Sequence, residues 1–443
     1  MERSQVTHTG RSASARIFEE IGVVPASDNL YHATARRLLD ATELVGFRHT
    51  QQLMLAQPKS EVMVHFPVQM DDGRHRLFKG YRVQHSNALG PYLGGLRFAP
   101  QVTLDGVKAH AILATLRASL VRVPFGGAFG GVKVAPREIS RGELMRVTRR
   151  FCSAIGHQVG PAYDVVAPDL GTDSQVMAWF FDTLAQTTPE HSRQDQSRAV
   201  VGKPVELGGI GARTRSLATG LAAVLEETLG ESMLSLPGAR VAVVGFGHAG
   251  AAVARALENH GARIVAVLST GGALYEPGGI DSTALAHHRA RHGDIDGFEQ
   301  ATSVLERDFW EAAADIVVLC ADDGALDASR AAQCRARVVV EAGAANITVD
   351  AEDVLIRQGI EIVPDILAAG GVDIAAALEW REVRLDPSFR KDDVDAQVRR
   401  QMTLAARRVR VARARYECDA RTAALCASLE RVGRIYELRG VFP

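Results

Sequence analysis

Apolar and polar positions in the first part of the chain follow two different periods. Residues 32–56 carry apolar side chains at helical spacing, and residues 62–68 alternate between apolar and polar as in a half-buried strand. Pro67 removes a backbone donor from that strand, which favours a place at the edge of a sheet. An Asp-Asp-Gly sequence at 71–73 is a hairpin signal, so we predict a second strand after it.

Two glycine-dense segments come next, at 90–95 and 126–131, and a helical pattern over 105–121 lies between them. A further helix is predicted from a Ser-x-x-Glu capping box at 140–143 to about residue 156.

The pattern changes after a polar segment without periodicity at 186–204, which is the best candidate for a linker. Beyond it, helical segments alternate with short β-branched runs at 240–245, 263–268, 316–320, 338–341 and 360–363. Such alternation predicts a parallel sheet flanked by helices. The last stretch, 393–436, is arginine-rich and helical. The fold class is therefore α/β.

Composition agrees with a folded protein of two domains, since 443 residues exceed what one core usually serves. No apolar run approaches the roughly 20 residues of a membrane span. The N-terminus has basic residues but no apolar core, so residues 1–26 are predicted to form a disordered tail and not a secretory signal. A net charge of −1 gives no reason to expect nucleic acid or a membrane. Five scattered cysteines without CxxC spacing favour free thiols in the cytoplasm.

A strand at 241–244 leads directly into a Gly-x-Gly-x-x-Gly turn and then a helical segment. The turn consists of Gly245, Phe246, Gly247, His248, Ala249 and Gly250. Its glycines permit a tight turn, close approach of a pyrophosphate and close packing of helix on strand, and the helix N-terminus faces the phosphate charge. This predicts a Rossmann-type dinucleotide site, with a Rossmann fold that binds nothing as the alternative.

The end of the next strand carries no acid that would bind the adenosine ribose. Ser269 stands there, and a serine tolerates a ribose phosphate, but no adjacent arginine favours NADP. The choice between NAD and NADP, and binding itself, are left open.

Several long motifs resemble the Glu/Leu/Phe/Val dehydrogenase family in order and spacing from about residue 30 onward. They are FKGYRVQHSNALGP, GGLRF, VPFGGAFGGVKVAP, VAPDLGTDSQVMAWFFD, GKPVELGG, GFGHAG, IVPDILAAGGV, EW and YELRGVFP. The resemblance implies a substrate-binding and dimerisation domain with a mixed sheet at 27–190, rejoined by C-terminal helices at 376–443. It also implies a Rossmann domain at 200–375, a catalytic cleft between the two, and an oligomer, typically a homo-hexamer.

The chemistry implied by the resemblance is oxidative deamination of an amino acid to a 2-oxo acid with NAD or NADP. In the family a lysine and an aspartate carry most of the proton transfer. The aspartate corresponds to Asp169, but the lysine position is Phe129. Loss of one acid–base group costs about 10²–10⁴ in rate.

Other pocket positions implied by the resemblance have changed as well. The lysine that meets the side-chain carboxylate in glutamate enzymes falls at Leu93, and the lysine for the α-carboxylate falls at Arg117, whose guanidinium can replace it. The family's two asparagines and its serine fall, without gaps, at Ala344, Ala369 and Ala376. Thr219 of the ATG sequence remains.

These residues favour a non-catalytic or strongly impaired protein that assembles with an active amino-acid dehydrogenase and regulates it, with an apolar amino acid such as leucine as effector. One alternative is an active dehydrogenase for an apolar amino acid that uses Asp169, Arg117 and Lys133, although Lys133 is expected to flank a strand outside the site. The other is an amino-acid sensor that closes its cleft without chemistry.

Three further sets of polar residues are expected to be structural. His85 and Asn87 are expected to position the cleft, and no carboxylate or cysteine accompanies the helical pair His288 and His292 to form a metal site. The arginines of 398–415 predict a salt-bridged helix face or a subunit interface.

Overall fold

The computed structural model describes residues 12–26, 28–187, 196–232, 234–382 and 391–440. Its first sheet has the strand order β1-β2-β4-β3-β5. The strands are β1 (Ser60–Gln69), β2 (His75–Ser86), β3 (Tyr92–Phe98), β4 (Gly126–Val132) and β5 (Asp164–Pro168). Antiparallel pairing joins β1 to β2 and β2 to β4, whereas β3 is parallel to β4 and β5. The predicted edge position of the strand with Pro67 and the hairpin after it are confirmed.

Helices cover this sheet and precede it along the chain. They are α1 (Ala13–Glu20), α2 (Leu30–Val45), α3 (His49–Ala56), α4 (Leu104–Leu120), α5 (Arg141–Ile155) and α6 (Ser174–Thr187). The predicted capping box is present, because Ser140 accepts from the Glu143 backbone and Glu143 accepts from the Ser140 backbone. The glycine-dense segments form the central strands, where a Cβ at Gly127 would lie 2.2 Å from a backbone nitrogen of α4.

The second sheet has the order β12-β11-β10-β6-β7-β8-β9. Its strands are β6 (Arg240–Val244), β7 (Arg263–Ser269), β8 (Gly272–Tyr275), β9 (Thr302–Val304), β10 (Ile316–Leu319), β11 (Val338–Glu341) and β12 (Glu361–Val363). The five runs predicted as strands are parallel neighbours, which confirms the α/β class. The two short strands β8 and β9 pair antiparallel at the edge and were not predicted.

The second half of the chain contains ten α-helices whose bounds lie within its described residues. They are α7 (Arg213–Thr228), α8 (His248–Asn259), α9 (Ser282–His292), α10 (Glu306–Trp310), α11 (Ala328–Gln333), α12 (Val349–Arg357), α13 (Asp365–Ala368), α14 (Gly371–Glu382), α15 (Lys391–Tyr416) and α16 (Ala420–Arg439). Helix α15 packs on α7, and α16 packs on α2 and α4 of the first half. The chain thus returns to its N-terminal part, while the exact domain limits stay a prediction.

Three predictions about connecting segments need correction. Residues 13–20 form a helix capped by Ser12 and not a disordered tail, although residues 1–11 lie outside the described part. The pattern over 32–56 forms two helices, because Gly46 adopts a φ of 84° and ends α2. The proposed linker includes 188–195, which are not described, but Val200 already pairs beside β5 and Lys203 is buried.

None of the described helices is both long and apolar enough to cross a membrane.

Candidate functional site

Phe129 and Asp169 meet on one face of the first sheet. Phe129 lies on β4, and Asp169 directly follows β5. Gly95 of β3 separates them, because a Cβ added there would lie 2.9 Å both from the Asp169 Cβ and from the Phe129 Cε2. The structure therefore brings together the two positions at which the sequence predicted proton-transfer groups.

The Phe129 ring is 6% exposed and is held between two polar side chains. His110 of α4 stacks on it with ring centroids 4.6 Å apart, and the Arg97 guanidinium lies 5.4 Å from its centroid. Stacking and cation–π attraction fix the ring, and neither gives it a proton to transfer. This position can pack but cannot act as an acid or a base.

Asp169 belongs to an ion-pair network that joins the two sheets. Arg97 donates from Nε to Asp169 at 2.8 Å and from Nη1 to both oxygens of Asp323 at 2.9 Å. His110 Nε2 lies 2.8 Å from Asp323, which belongs to the loop after β10. We call Arg97, Asp169, Asp323 and His110 the clasp, because it spans the cleft over Phe129.

The clasp keeps Asp169 ionised. Burial raises the pKa of Asp169, but the nearby charges of Arg97 and His110 and the hydrogen bond from Arg97 outweigh it, so that the pKa lies below its usual value. An aspartate with a lowered pKa that is tied to an arginine is a poor proton carrier near neutral pH.

Arg117, the residue predicted to bind the substrate α-carboxylate, already holds a carboxylate of this chain. Its Nε donates to Asp373 Oδ2 at 2.5 Å and its Nη2 to Oδ1 at 3.3 Å. Both side chains are largely buried, with 16% and 8% exposed. This bidentate pair uses the Nε and Nη2 donors of the guanidinium, so a substrate carboxylate would compete with Asp373 for one of the forks of donors that Arg117 offers.

Arg213 at the start of α7 is a cation that sequence reasoning missed. It is half-buried, and no described residue offers it a hydrogen bond or ion pair. Burial lowers its pKa, partly opposed by the carboxylates of Asp169 and Asp373. Arg213 therefore faces the same site as Arg117, and its guanidinium is available to an anionic group.

The remaining predicted substrate positions are apolar or small. Leu93 is 3% exposed and lies on the same face of β3 as Gly95, since residues two apart in a strand share a face. Ala376 is buried on α14, about one turn after Asp373. Thr219 lies half-buried on α7. None of these three side chains can pair with a second substrate carboxylate by charge.

The glycine turn after β6 has the geometry that a pyrophosphate needs. Gly245 has a φ of 85°, and a Cβ there would lie 2.5 Å from the Cys320 carbonyl oxygen. A Cβ at Gly250 would lie 1.9 Å from the Gly245 carbonyl oxygen, so helix and strand meet closely. Gly247 is the N-cap residue of α8 and has no side chain that could accept a hydrogen bond. The backbone N–H groups of the first turn of α8, which begins at His248, can therefore donate to an anion.

Phe246 of the same turn is fully buried, so its side chain fixes the backbone of the turn against the core. The residues present thus fit a dinucleotide phosphate.

A carboxylate does stand at the end of β7, although it comes from elsewhere in the chain. Ser269 donates to Asp294 Oδ1 at 2.7 Å, and Thr270 donates to Oδ2 at 2.6 Å. Asp294 follows α9 and was missed because only tertiary packing brings it to the strand end. It occupies the place where an acid usually meets the adenosine ribose.

Other residues singled out from the sequence lie apart from this site. Lys133 is exposed just past the end of β4 and lines neither of the two cavities that border the clasp. His288 and His292 stack with centroids 4.4 Å apart, and His288 hydrogen-bonds the Asp296 carbonyl. Within the described ranges, no cluster of three metal-ligating side chains occurs.

The arginine-rich segment forms the predicted salt-bridged face. Arg399 pairs with Glu226, and Arg407 and Arg410 both pair with Glu227, at 2.7 to 3.0 Å.

Comparison with known proteins gives consistent matches across the chain. The family model described as Glu/Leu/Phe/Val dehydrogenase, dimerisation domain, matches residues 58–186, and that described as Glutamate/Leucine/Phenylalanine/Valine dehydrogenase matches residues 208–440. A glutamate dehydrogenase of Thermotoga maritima is 36% identical over 419 residues, which are 94% of this chain and 99% of that protein. An NAD-specific glutamate dehydrogenase of Staphylococcus aureus is 32% identical, with 94% and 99% covered.

Among solved structures, a hetero-hexameric glutamate dehydrogenase from Thermus thermophilus in a Leu-bound form is similar. Its TM-score is 0.88 at 36% identity, and the match covers 95% of this chain and 99% of that chain.

Proposed function

The chain belongs to the Glu/Leu/Phe/Val dehydrogenase family, and from this premise we propose that it is a non-catalytic or strongly impaired member that regulates an active amino-acid dehydrogenase. In this role it assembles with the active enzyme in a hetero-oligomer, and an apolar amino acid such as leucine is its effector.

The observation that carries the proposal is Phe129. An aromatic ring stacked on His110 takes the place proposed for the family's lysine, beside a retained Asp169. Oxidative deamination needs a proton donor that also stabilises charge on the carbinolamine, and a phenyl ring supplies neither. Loss of both roles is expected to cost more than the roughly 10²–10⁴ of a single acid–base group.

The Arg117–Asp373 pair supports the same proposal. A substrate α-carboxylate would have to share Arg117 with Asp373 or displace it, and displacement would leave a buried carboxylate unpaired. Leu93 lacks the charge that a glutamate side chain needs, and its apolar surface favours an apolar amino acid.

The relative in Thermus thermophilus supports the proposed assembly. That structure is described as hetero-hexameric and as a Leu-bound form, so a similar fold occurs in a mixed assembly with leucine present. We carry both features to this chain as part of the proposal.

The proposed cofactor is NAD in preference to NADP. Asp294 places a negative charge at the end of β7, where it repels the 2′-phosphate of NADP. A dinucleotide bound to an active subunit would take part in hydride transfer there. A dinucleotide bound to this chain would be held and oriented by the turn at Gly245–Gly250.

Lys133 offers little support for an active, rearranged site. It is exposed, and it lines neither the cavity at Phe129 nor the larger one beside it. A catalytic group displaced in this way cannot hold reactive geometry.

The deciding experiment assays the purified chain for reduced nicotinamide formation with NAD and NADP and a panel of amino acids. The expected result is no turnover alone. Co-expression with an active dehydrogenase from the same organism should give a stable mixed oligomer whose rate changes with leucine. Ordinary turnover by the chain alone would refute the proposal, and leucine binding without any dehydrogenase partner would favour an independent sensor instead.

A further inference from the structure

A cavity of about 600 Å³ lies beside the cleft and shares only Asp323 of the clasp with it. It is bounded by α2 and α16 on one side and by the loops after β10, β11 and β12 on the other. Neither Phe129 nor Asp169 lines it, and neither does any residue of the Gly245–Gly250 turn. Its size falls within the roughly 300–1,000 Å³ of small-molecule sites, which occur preferentially at domain interfaces.

The wall of this cavity is mainly apolar and is built from both halves of the chain. Its apolar members include Leu30, Leu113, Ile347, Ile366 and Leu425. Leu113 and Ile366 are nearly buried, so they form a floor of fixed shape. Such a wall fits a short branched hydrocarbon group.

Two arginines line one side of the cavity, and Arg37 has N–H groups that remain available to a ligand. Arg421 already forms ion pairs with Glu341 at 2.7 Å and with Glu352 at 2.5 Å. Arg37 gives one Nη to Glu352, and its other N–H groups have no hydrogen-bond partner among the described residues. With 28% of its side chain exposed, Arg37 can still bind a carboxylate from the cavity.

The same cavity is also lined by carboxylates that have no close ion-pair partner among the described residues. Asp350 in the first turn of α12 is exposed, and no described group pairs with it. Asp327 caps α11 and makes only a 3.7 Å ion pair with Arg330. These carboxylates suit an ammonium group. The lining therefore offers a cation, an anion and an apolar surface around one cavity.

We propose that this cavity binds a zwitterionic amino acid with an apolar side chain, its carboxylate on Arg37 and its ammonium toward Asp350. The assignment rests on the regulatory role proposed above, for which it supplies the effector site. Leucine is the matching probe, because its side chain is apolar and branched and carries no further charge.

The position of the cavity explains how such a ligand acts on the cleft. Asp323 lines this cavity and also a neighbouring one of about 370 Å³ that reaches Phe129 and Arg97. A ligand seated against the loop of Asp323 changes the free energy of the clasp, and therefore the balance between open and closed clefts.

The first experiment is isothermal titration calorimetry on the whole purified chain with three probes. Leucine carries both charges, 3-methylbutylamine lacks the carboxylate, and 4-methylpentanoate lacks the ammonium. We expect leucine to bind and each analogue to bind at least tenfold more weakly. Equal binding of either analogue would overturn the proposed two-charge recognition.

The second experiment locates the site with three variants of the same chain. Ser329→Trp fills the cavity from an exposed position on α11 and should weaken leucine binding more than tenfold. Ser153→Trp places the same bulk on exposed α5 and should leave binding unchanged. Arg213→Gln removes the open cation of the cleft and should also leave it unchanged.

Leucine binding that survives Ser329→Trp would overturn the proposal, and its loss in Arg213→Gln would place the ligand in the cleft instead. Absence of binding to the unaltered chain would overturn it as well. Both binding tests use this chain alone, whereas the regulatory role is tested by co-expression with an active dehydrogenase. A failure of the proposed binding site can therefore be told apart from a failure of the proposed regulatory role.

Discussion

Asp294 lies 25 residues beyond Ser269 along the chain, yet its oxygens accept hydrogen bonds from Ser269 and Thr270. Burial raises the pKa of Asp294, but these hydroxyls and the Ile295 N–H outweigh it and hold the pKa below its usual value. The carboxylate is therefore charged at neutral pH, and its charge lies at the strand end where Rossmann-type proteins commonly recognise the adenosine ribose.

We expect Asp294→Asn to lower the proposed preference of the chain for NADH over NADPH. The unaltered chain should bind NADH at least tenfold more tightly, and the variant should gain affinity for NADPH because the repulsion of its phosphate is removed. Fluorescence titration with both reduced cofactors measures this. Asp296→Asn, exposed two residues further on, is the matched control and should keep the preference; equal NADPH binding by the unaltered chain would contradict the idea.

At the scale of elements, His85 fastens β2 to two helices. Its Nδ1 lies 2.8 Å from the Thr115 hydroxyl of α4, and its Nε2 donates to the Leu55 carbonyl of α3 at 3.0 Å. This arrangement satisfies a neutral ring. Burial lowers the pKa of His85 to about 4, only partly opposed by the bond to Leu55.

A pH dependence of stability follows from His85. Between about pH 6.5 and pH 4 the unfolded chain binds a proton on this ring and the folded protein does not, so stability is complete above that window and falls on acidification. The loss amounts to up to about 3 kcal/mol. Urea unfolding at several pH values should show it in the unaltered chain and in the exposed control His75→Gln. His85→Gln should be less stable at pH 7 but lack this component.

Most elements could be predicted because their signals are local. The capping box of α5 and the β-branched runs of the parallel sheet depend on neighbours in sequence. The two strands β8 and β9 escaped, since four and three residues give too short a pattern to recognise. The break at Gly46 was missed because apolar spacing continues on both sides of it.

At the scale of the whole molecule, the clasp links the halves through one acidic residue. Burial raises the pKa of Asp323, but His110 and Arg97 outweigh it strongly, and the pKa lies far below its usual value. Its contribution to stability is therefore complete above about pH 4 and is lost only as the pH falls through this lowered pKa.

Asp323→Asn should lower the free energy of unfolding at pH 7 by about 1–3 kcal/mol, since the pair is partly buried. Urea unfolding measures the effect, and the difference should shrink in strong acid, where Asp323 itself becomes protonated. Asp308→Asn, whose exposed pair with Arg307 spans 3.5 Å, is the control and should change little. An unchanged stability in Asp323→Asn would mean that the clasp does not hold the halves together.

Residues of the candidate site could be predicted only where they lie within a recognisable sequence motif. Phe129 and Asp169 were found because each sits in a long family segment. The sequence did not predict the roles of His110, Arg213 and Asp323. These residues come from three separate elements, and only the fold brings their charges to one cleft. Long-range pairing of this kind leaves no periodic trace in a sequence.

The pairing of Arg117 with Asp373 has a consequence for dissolved amino acids. A carboxylate tethered to the same molecule competes at an effective concentration that short flexible linkers already set on the order of millimolar. Asp373 is held more rigidly, at 2.5 Å from its partner. Free amino acids at lower concentration would therefore compete poorly with Asp373 for the guanidinium of Arg117.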